Sequence, residues 1–201
     1  MVLDIPKFEG DLEEIISSIV AWVDERVDRK QWSDEEIDEK FARRSARQIL
    51  EEGHTGYMNP CLDLTLVAYE ALRANDLNPT LVVQELSHED YPHNQLHFGI
   101  EFTYRGELYF VDFLMMNRVF LRKGGYQMNK EGIKSLQIVR MDENVDTDKE
   151  PLSIGGEWFK PIGYRLEPQL ERLKQDNTDE TYEKYLAALG NKGNLYLDAS
   201  I

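Results

Sequence analysis

Residues 96–114 read LHFGIEFTYRGELYFVDFL, and this stretch decides the fold. Leu96, Phe98, Ile100, Phe102 and Tyr104 alternate with His97, Gly99, Glu101 and Thr103, the two-residue period of a half-buried strand. Arg105-Gly106 is a turn, and Glu107 to Leu114 is the returning strand. A two-residue loop pairs Tyr104 with Glu107, Gly99 with Asp112 and His97 with Leu114. His97 and Asp112 are then diagonal neighbours on one face, about 7–8 Å apart at the backbone. A four-residue loop gives the same register, whereas a bulged three-residue loop shifts the parity. Gly99 is expected to leave room between the two side chains. Asp112 interrupts an otherwise apolar strand, where a carboxylate is costly unless paired or hydrogen-bonded. An imidazole is a suitable partner.

Upstream, Thr80 to Leu86 is a strand candidate, followed by a polar loop from Ser87 to Asn94. Before them, Asn59-Pro60 reads as a helix start, with Asn at the N-cap and Pro at the first helical position. Cys61 falls in the first turn of that helix. Leu62 to Leu72 is apolar nearly all round, the mark of a buried helix, and Asn75-Asp76 and Pro79 end it. The segment 53–60, GHTGYMNP, reads as a loop. Asp11-Leu12-Glu13-Glu14 and Ser33-Asp34-Glu35-Glu36 are capping boxes. The first opens an amphipathic helix through Val27. The second opens a helix that Ile37, Phe41, Ile49 and Leu50 continue until Gly53. Downstream, Leu136 to Met141 and Trp158 to Leu166 read as strands, Asp142 to Glu150 as an exposed acidic loop, and Asp179 to Leu189 as a helix closed by Gly190.

The expected architecture is one α+β domain over 1–201, with helices packed on an antiparallel sheet. Its parts are a helical N-terminal portion 1–55, a core of about 56–141 and a C-terminal extension of about 142–201. Hydrophobic residues make up 41% and charged residues 30%, which suits a globule with a real core. The net charge of −15 repels nucleic-acid phosphates and anionic lipid, and it either serves solubility or favours a cationic substrate. No apolar run is long enough to span a membrane, and Met1 to Gly10 lacks the apolar block of a secretory signal. The expectation is a cytoplasmic protein without nucleic-acid or membrane partners.

The chain has one cysteine. A single Cys with His and Asp elsewhere is a candidate nucleophile. A helix N-terminus favours the thiolate, and its backbone N–H groups offer part of an oxyanion hole. The candidate catalytic residues are therefore Cys61 as nucleophile, His97 as proton acceptor and donor, and Asp112 to hold the ring in the productive tautomer. Asn59, Tyr57 and Gln48 are candidate oxyanion donors. Glu101, on the His97 face, is a candidate partner for a substrate amine. Arg43, Arg44 and Arg47 form a basic cluster that either holds a substrate carboxylate or answers nearby acids. His54, His88, His93, His97 and Cys61 lack the tight spacing of a metal site, so neither metal nor cofactor is expected.

The stretch from about Ser45 to Leu114, roughly a third of the chain, resembles the transglutaminase-like superfamily, which includes cysteine peptidases and amidases. Cys61-Leu62-Asp63-Leu64-Thr65-Leu66-Val67 matches the nucleophile helix, and Leu72 to Pro79 its exit. His97-Phe98-Gly99-Ile100-Glu101-Phe102 matches the histidine strand, and Leu108-Tyr109-Phe110-Val111-Asp112 the acidic strand. The Cys-to-His gap of 36 residues and the His-to-Asp gap of 15 are similar to the family's. Asn59-Pro60 stands where the family often has Gly before the Cys, and Phe113 where it often has Pro after the Asp. The resemblance implies a transglutaminase-like fold and acyl transfer from, or hydrolysis of, a peptide or amide. A catalytically inactive binding module on the same fold is the alternative.

Overall fold

A computed structural model describes residues 3–58, 60–88, 95–115, 118–124, 133–141, 147, 166–189 and 194–197. The chain begins with helix α1 (Leu12–Arg26), opened by the expected capping box: Asp11 accepts from Glu14 N, and the Glu14 side chain accepts from Asp11 N at 2.9 Å. Short strand β1 (Asp28–Lys30) follows, then helices α2 (Asp34–Lys40) and α3 (Ala46–Glu52). The single helix expected from Ser33 to Gly53 is thus two. Ala42 takes a left-handed φ of 57°, which a helix does not tolerate, and Ser45 with Gln48 builds a fresh capping box.

The expected loop at 53–60 also contains a strand. β2 (His54–Gly56) pairs in parallel with β1, a long-range pairing with no local alternation to announce it. Helix α4 (Cys61–Ala74) comes next, then β3 (Thr80–His88), β4 (Gln95–Tyr104), β5 (Glu107–Met115), β6 (Arg118–Lys123) and β7 (Ile133–Arg140). Helices α5 (Leu166–Asp176) and α6 (Asp179–Leu189) and strand β8 (Asn194–Leu197) complete the described elements.

The molecule is α+β. Its main sheet has the order β7-β3-β4-β5-β6-β8. Five of these strands run antiparallel, and β8 lies parallel to β6 at the edge. The expected β4–β5 register holds. Arg105 (φ 52°) and Gly106 (φ 83°) form a two-residue turn with both residues left-handed, whose twist matches the flanking strands, and Tyr104 stands opposite Glu107. The ladder runs from there to Ile100 opposite Val111.

Strand alternation sorts the sheet into two faces. Leu81, Val83, Phe98, Ile100, Phe102, Val111 and Phe113 join one apolar core with Ile16, Ile19 and Val23 of α1 and Leu64, Leu66 and Leu72 of α4. Val82, Gln84, His97, Gly99, Glu101, Phe110 and Asp112 fall on the opposite face. Gly99 lies under the Phe110 ring, where an added Cβ would stand 2.4 Å from a ring carbon. The space that Gly99 leaves is therefore filled by the Phe110 ring.

Thr147 corrects the reading of the acidic loop at its own position. It is buried, its hydroxyl donates to the Glu70 carboxylate, and its carbonyl accepts from Ala46 N at 3.0 Å. The expected strand at 158–166 lies outside the described residues, except that Leu166 opens α5. Among the described residues, no helix is long and apolar enough to cross a membrane.

Candidate active site

Cys61 is the first residue of α4. Pro60 already has helical dihedrals (φ −73°, ψ −12°), so the rigid ring starts the helix and no side chain caps it. Asn59, the expected N-cap and oxyanion candidate, lies outside the described residues. A buried ion pair pins this end of α4. Asp63, in the first turn, accepts from Arg44 Nη2 and from Thr55 Oγ1 at 2.6 Å. Arg44 Nη1 also reaches the His54 carbonyl at 2.9 Å and Glu52 at 3.0 Å, and its guanidinium lies over the Trp32 ring. Arg44 therefore answers nearby acids, one of the two roles open for the basic cluster.

α4 packs on the apolar face of the sheet, opposite the face that carries His97 and Asp112, and Cys61, at its N-terminal end, meets the sheet where the β4–β5 ladder stops. α4 lies against β4 and β5. Thr65, one turn beyond Cys61 and on the same side of the helix, donates to the Phe98 carbonyl at 3.5 Å. That contact falls just past the end of the β4–β5 ladder, beside His97, Gly99 and Asp112. Cys61 itself is 1% exposed and packs within the apolar core. Burial pushes its thiol up to about 12, and the Asp112 carboxylate adds to the shift, so the two groups are within electrostatic reach. Hydrogen bonds from the N–H groups of Leu62 and Cys61 pull the other way without reversing it. The helix N-terminus was expected to favour thiolate; in this resting arrangement desolvation outweighs it.

His97 and Asp112 meet as the hairpin register requires. His97 Nε2 lies 2.8 Å from Asp112 Oδ2, with the two side chains 16% and 15% exposed. A carboxylate in this position accepts the Nε2 proton and leaves Nδ1 with its lone pair. Nδ1 is buried and has no hydrogen-bond partner among the described residues. The basic nitrogen of the dyad is therefore unsatisfied, and Cys61 is not bonded to it.

The other candidates have other engagements. Tyr57 is buried against α6, its hydroxyl 3.1 Å from Thr181 Oγ1 and its ring in tilted contact with those of Tyr182 and Tyr185. Gln48 is exposed, and its Oε1 accepts from Ser45 N at 2.7 Å as the partner in the α3 capping box. Glu101 is buried and held by Arg140 of β7 through two bonds of 2.6 and 2.9 Å. His54 accepts from Trp32 Nε1 at 3.2 Å. Among the described residues no three His, Cys, Asp or Glu side chains gather in the way a metal ion needs.

One residue went unnoticed in the sequence. Gln84 stands directly opposite His97 in the β3–β4 register, and with Glu85 it interrupts the run of apolar residues that Leu81-Val82-Val83 begins. That interruption was the available signal. No family model, curated protein or solved structure matches the chain.

Proposed function

We propose that the chain is a thiol-dependent acyl-transfer enzyme of transglutaminase-like fold, with Cys61, His97 and Asp112 as its catalytic residues. The bond between His97 Nε2 and Asp112 Oδ2, with Nδ1 buried and unpartnered, is the observation that carries this reading. A histidine held in one tautomer with its basic nitrogen bare is built to take a proton. The nucleophile in this chemistry is Cys61, whose thiol feels the charge of Asp112.

In the proposed reaction the Cys61 thiol turns toward Nδ1 and gives it the proton. The sulfur attacks the carbonyl carbon of an amide, forming a C–S bond and a tetrahedral oxyanion. The N–H groups at the start of α4 face the developing charge. Collapse breaks the C–N bond, and the imidazolium returns the proton to the leaving amine. Water, deprotonated by His97, then cleaves the thioester and regenerates the thiol. Hydrolysis is preferred to cross-linking, because no site for an acceptor amine is evident among the described residues: Glu101, the candidate, holds Arg140. The substrate is a peptide or amide, with cationic ones favoured by the acidic surface. The setting is cytoplasmic, where thiols stay reduced.

A second reading is a catalytically inactive binding module on the same fold. The burial of Cys61 and its raised pKa favour it. The rate of Cys61 alkylation by iodoacetamide against pH, in wild type and in His97→Ala, separates the two. An enzyme labels rapidly at about pH 6, below the ~8.5 of an ordinary thiol, and His97→Ala slows it. Labelling only above pH 8.5, or only on unfolding, sinks the enzyme reading.

A further inference from the structure

Gln84 is the most conspicuous polar group in the sheet that no structural role explains. It is 1% exposed, and neither its Nε2 nor its Oε1 has a hydrogen-bond partner among the described residues. Buried side-chain amides are almost always bonded, because their desolvation is not recovered otherwise. Its place is also specific. In the register Gln84 is directly opposed to His97 across the β3–β4 ladder, so the two side chains share a face with their Cβ atoms about 4.5–5.5 Å apart. On its other side Gln84 stands opposite Ile138 of β7, which offers no polar group. Three unsatisfied polar atoms therefore lie together on one face: Nδ1 of His97, and the donor and acceptor of Gln84. The sequence offered Asn59, Tyr57 and Gln48 as polar groups for the substrate, but Tyr57 and Gln48 bond elsewhere.

We infer that the Gln84 amide binds the reacting amide of the substrate beside His97. An amide side chain presents one donor group and one acceptor, the complement of a secondary amide. Nε2 donates to the substrate carbonyl oxygen and Oε1 accepts from the substrate N–H. A site of this kind selects amides over thioesters and esters, which lack the N–H. An ester would leave Oε1 unpaired in a buried place, and mispairing of that sort discriminates more strongly than shape. Gln84 is a substrate-binding residue in this scheme, and the assignment rests on the proposed Cys61 chemistry.

Two thiol reagents test it: iodoacetamide, which carries an amide, and methyl methanethiosulfonate, which does not. Gln84→Met keeps the size of the side chain and removes both polar atoms, so the fold is expected to survive, as urea unfolding would verify. The expected result is iodoacetamide labelling of Cys61 slowed roughly five- to tenfold, the worth of a lost neutral hydrogen bond. The methanethiosulfonate rate and its pH profile stay unchanged. Equal rates for wild type and variant with both reagents would overturn the assignment while leaving the catalytic reading intact. Equal slowing of both reagents with a shifted pH profile would also overturn it, making Gln84 a partner of the His97 ring. If wild-type Cys61 reacts with neither reagent before unfolding, the catalytic reading fails and this assignment falls with it.

Discussion

Replacing Asp63 by Ala should be among the most damaging single changes outside the apolar core. Asp63 and Arg44 have side chains 6% and 3% exposed, and they bond directly to each other. Truncating the carboxylate leaves a buried guanidinium with fewer acceptors. Breaking a buried pair from one side costs about 3–5 kcal/mol. Arg44 keeps Glu52 and the His54 carbonyl, and Thr55 loses only one hydroxyl contact, so the lower end, about 3 kcal/mol, is expected. That is a large share of the ~5–15 kcal/mol by which a domain is stable. With a urea slope of about 2–3 kcal/mol per molar, the midpoint should fall by roughly 1–1.5 M. Equilibrium urea unfolding, followed by tryptophan fluorescence, measures it. The double variant Arg44→Met, Asp63→Leu should regain at least half of the loss, because replacing both charges by apolar groups removes the desolvation penalty as well. A midpoint for Asp63→Ala within about 0.3 M of wild type would refute the argument that this pair anchors the start of α4.

Four further outcomes follow from the same structure. Gln84→Met should raise the melting temperature, by about 2–4 °C for each kcal/mol gained, because it removes two unbonded buried atoms; a lowered value would mean that the amide is satisfied in the folded protein. Gly99→Ala should destabilise by about 1–3 kcal/mol, since its Cβ meets the Phe110 ring, and Phe110→Leu should recover part of this in calorimetry. The Cys61 thiol, pushed up to about 12, keeps its proton in the folded state where the unfolded chain loses it above ~8.5, so stability falls as pH rises through that range. Cys61→Ala abolishes this term; at pH 10 the variant should recover about 2 kcal/mol relative to its difference from wild type at pH 7, and equal differences at the two pH values would contradict the burial. Under the proposed catalytic reading, in which the thiol turns toward Nδ1, His97→Ala should slow Cys61 alkylation near pH 6 by at least about tenfold, read by mass spectrometry of the labelled protein.

The hairpin that carries His97 and Asp112 was legible because its information is local. Alternation sets the faces, Arg105-Gly106 sets the turn, and the two together fix the register without reference to any other element. The start of α4 was legible for a similar reason, through Pro60 and the apolar run behind it. The break between α2 and α3 was not, although its marks are present at Ser45 and Gln48. Apolar residues on either side of 41–45 continue a helical period, and the inward turn of Arg44 toward Asp63, a contact distant in sequence, accompanies the break. Strands β1 and β2 are three residues each, too short for a period to show.

By itself, then, the sequence determined the α+β class and the pairing of His97 with Asp112, since each follows from spacing along one or two neighbouring elements. Tertiary structure decided what surrounds them. It buried Cys61 in the core, where desolvation overrides the helix N-terminus. It gave Glu101 to Arg140 and Tyr57 to α6, and it set Gln84 across from His97. Those outcomes depend on β3, β7, α4 and α6 coming together from distant parts of the chain, and solvent exclusion and long-range pairing have no period along a sequence.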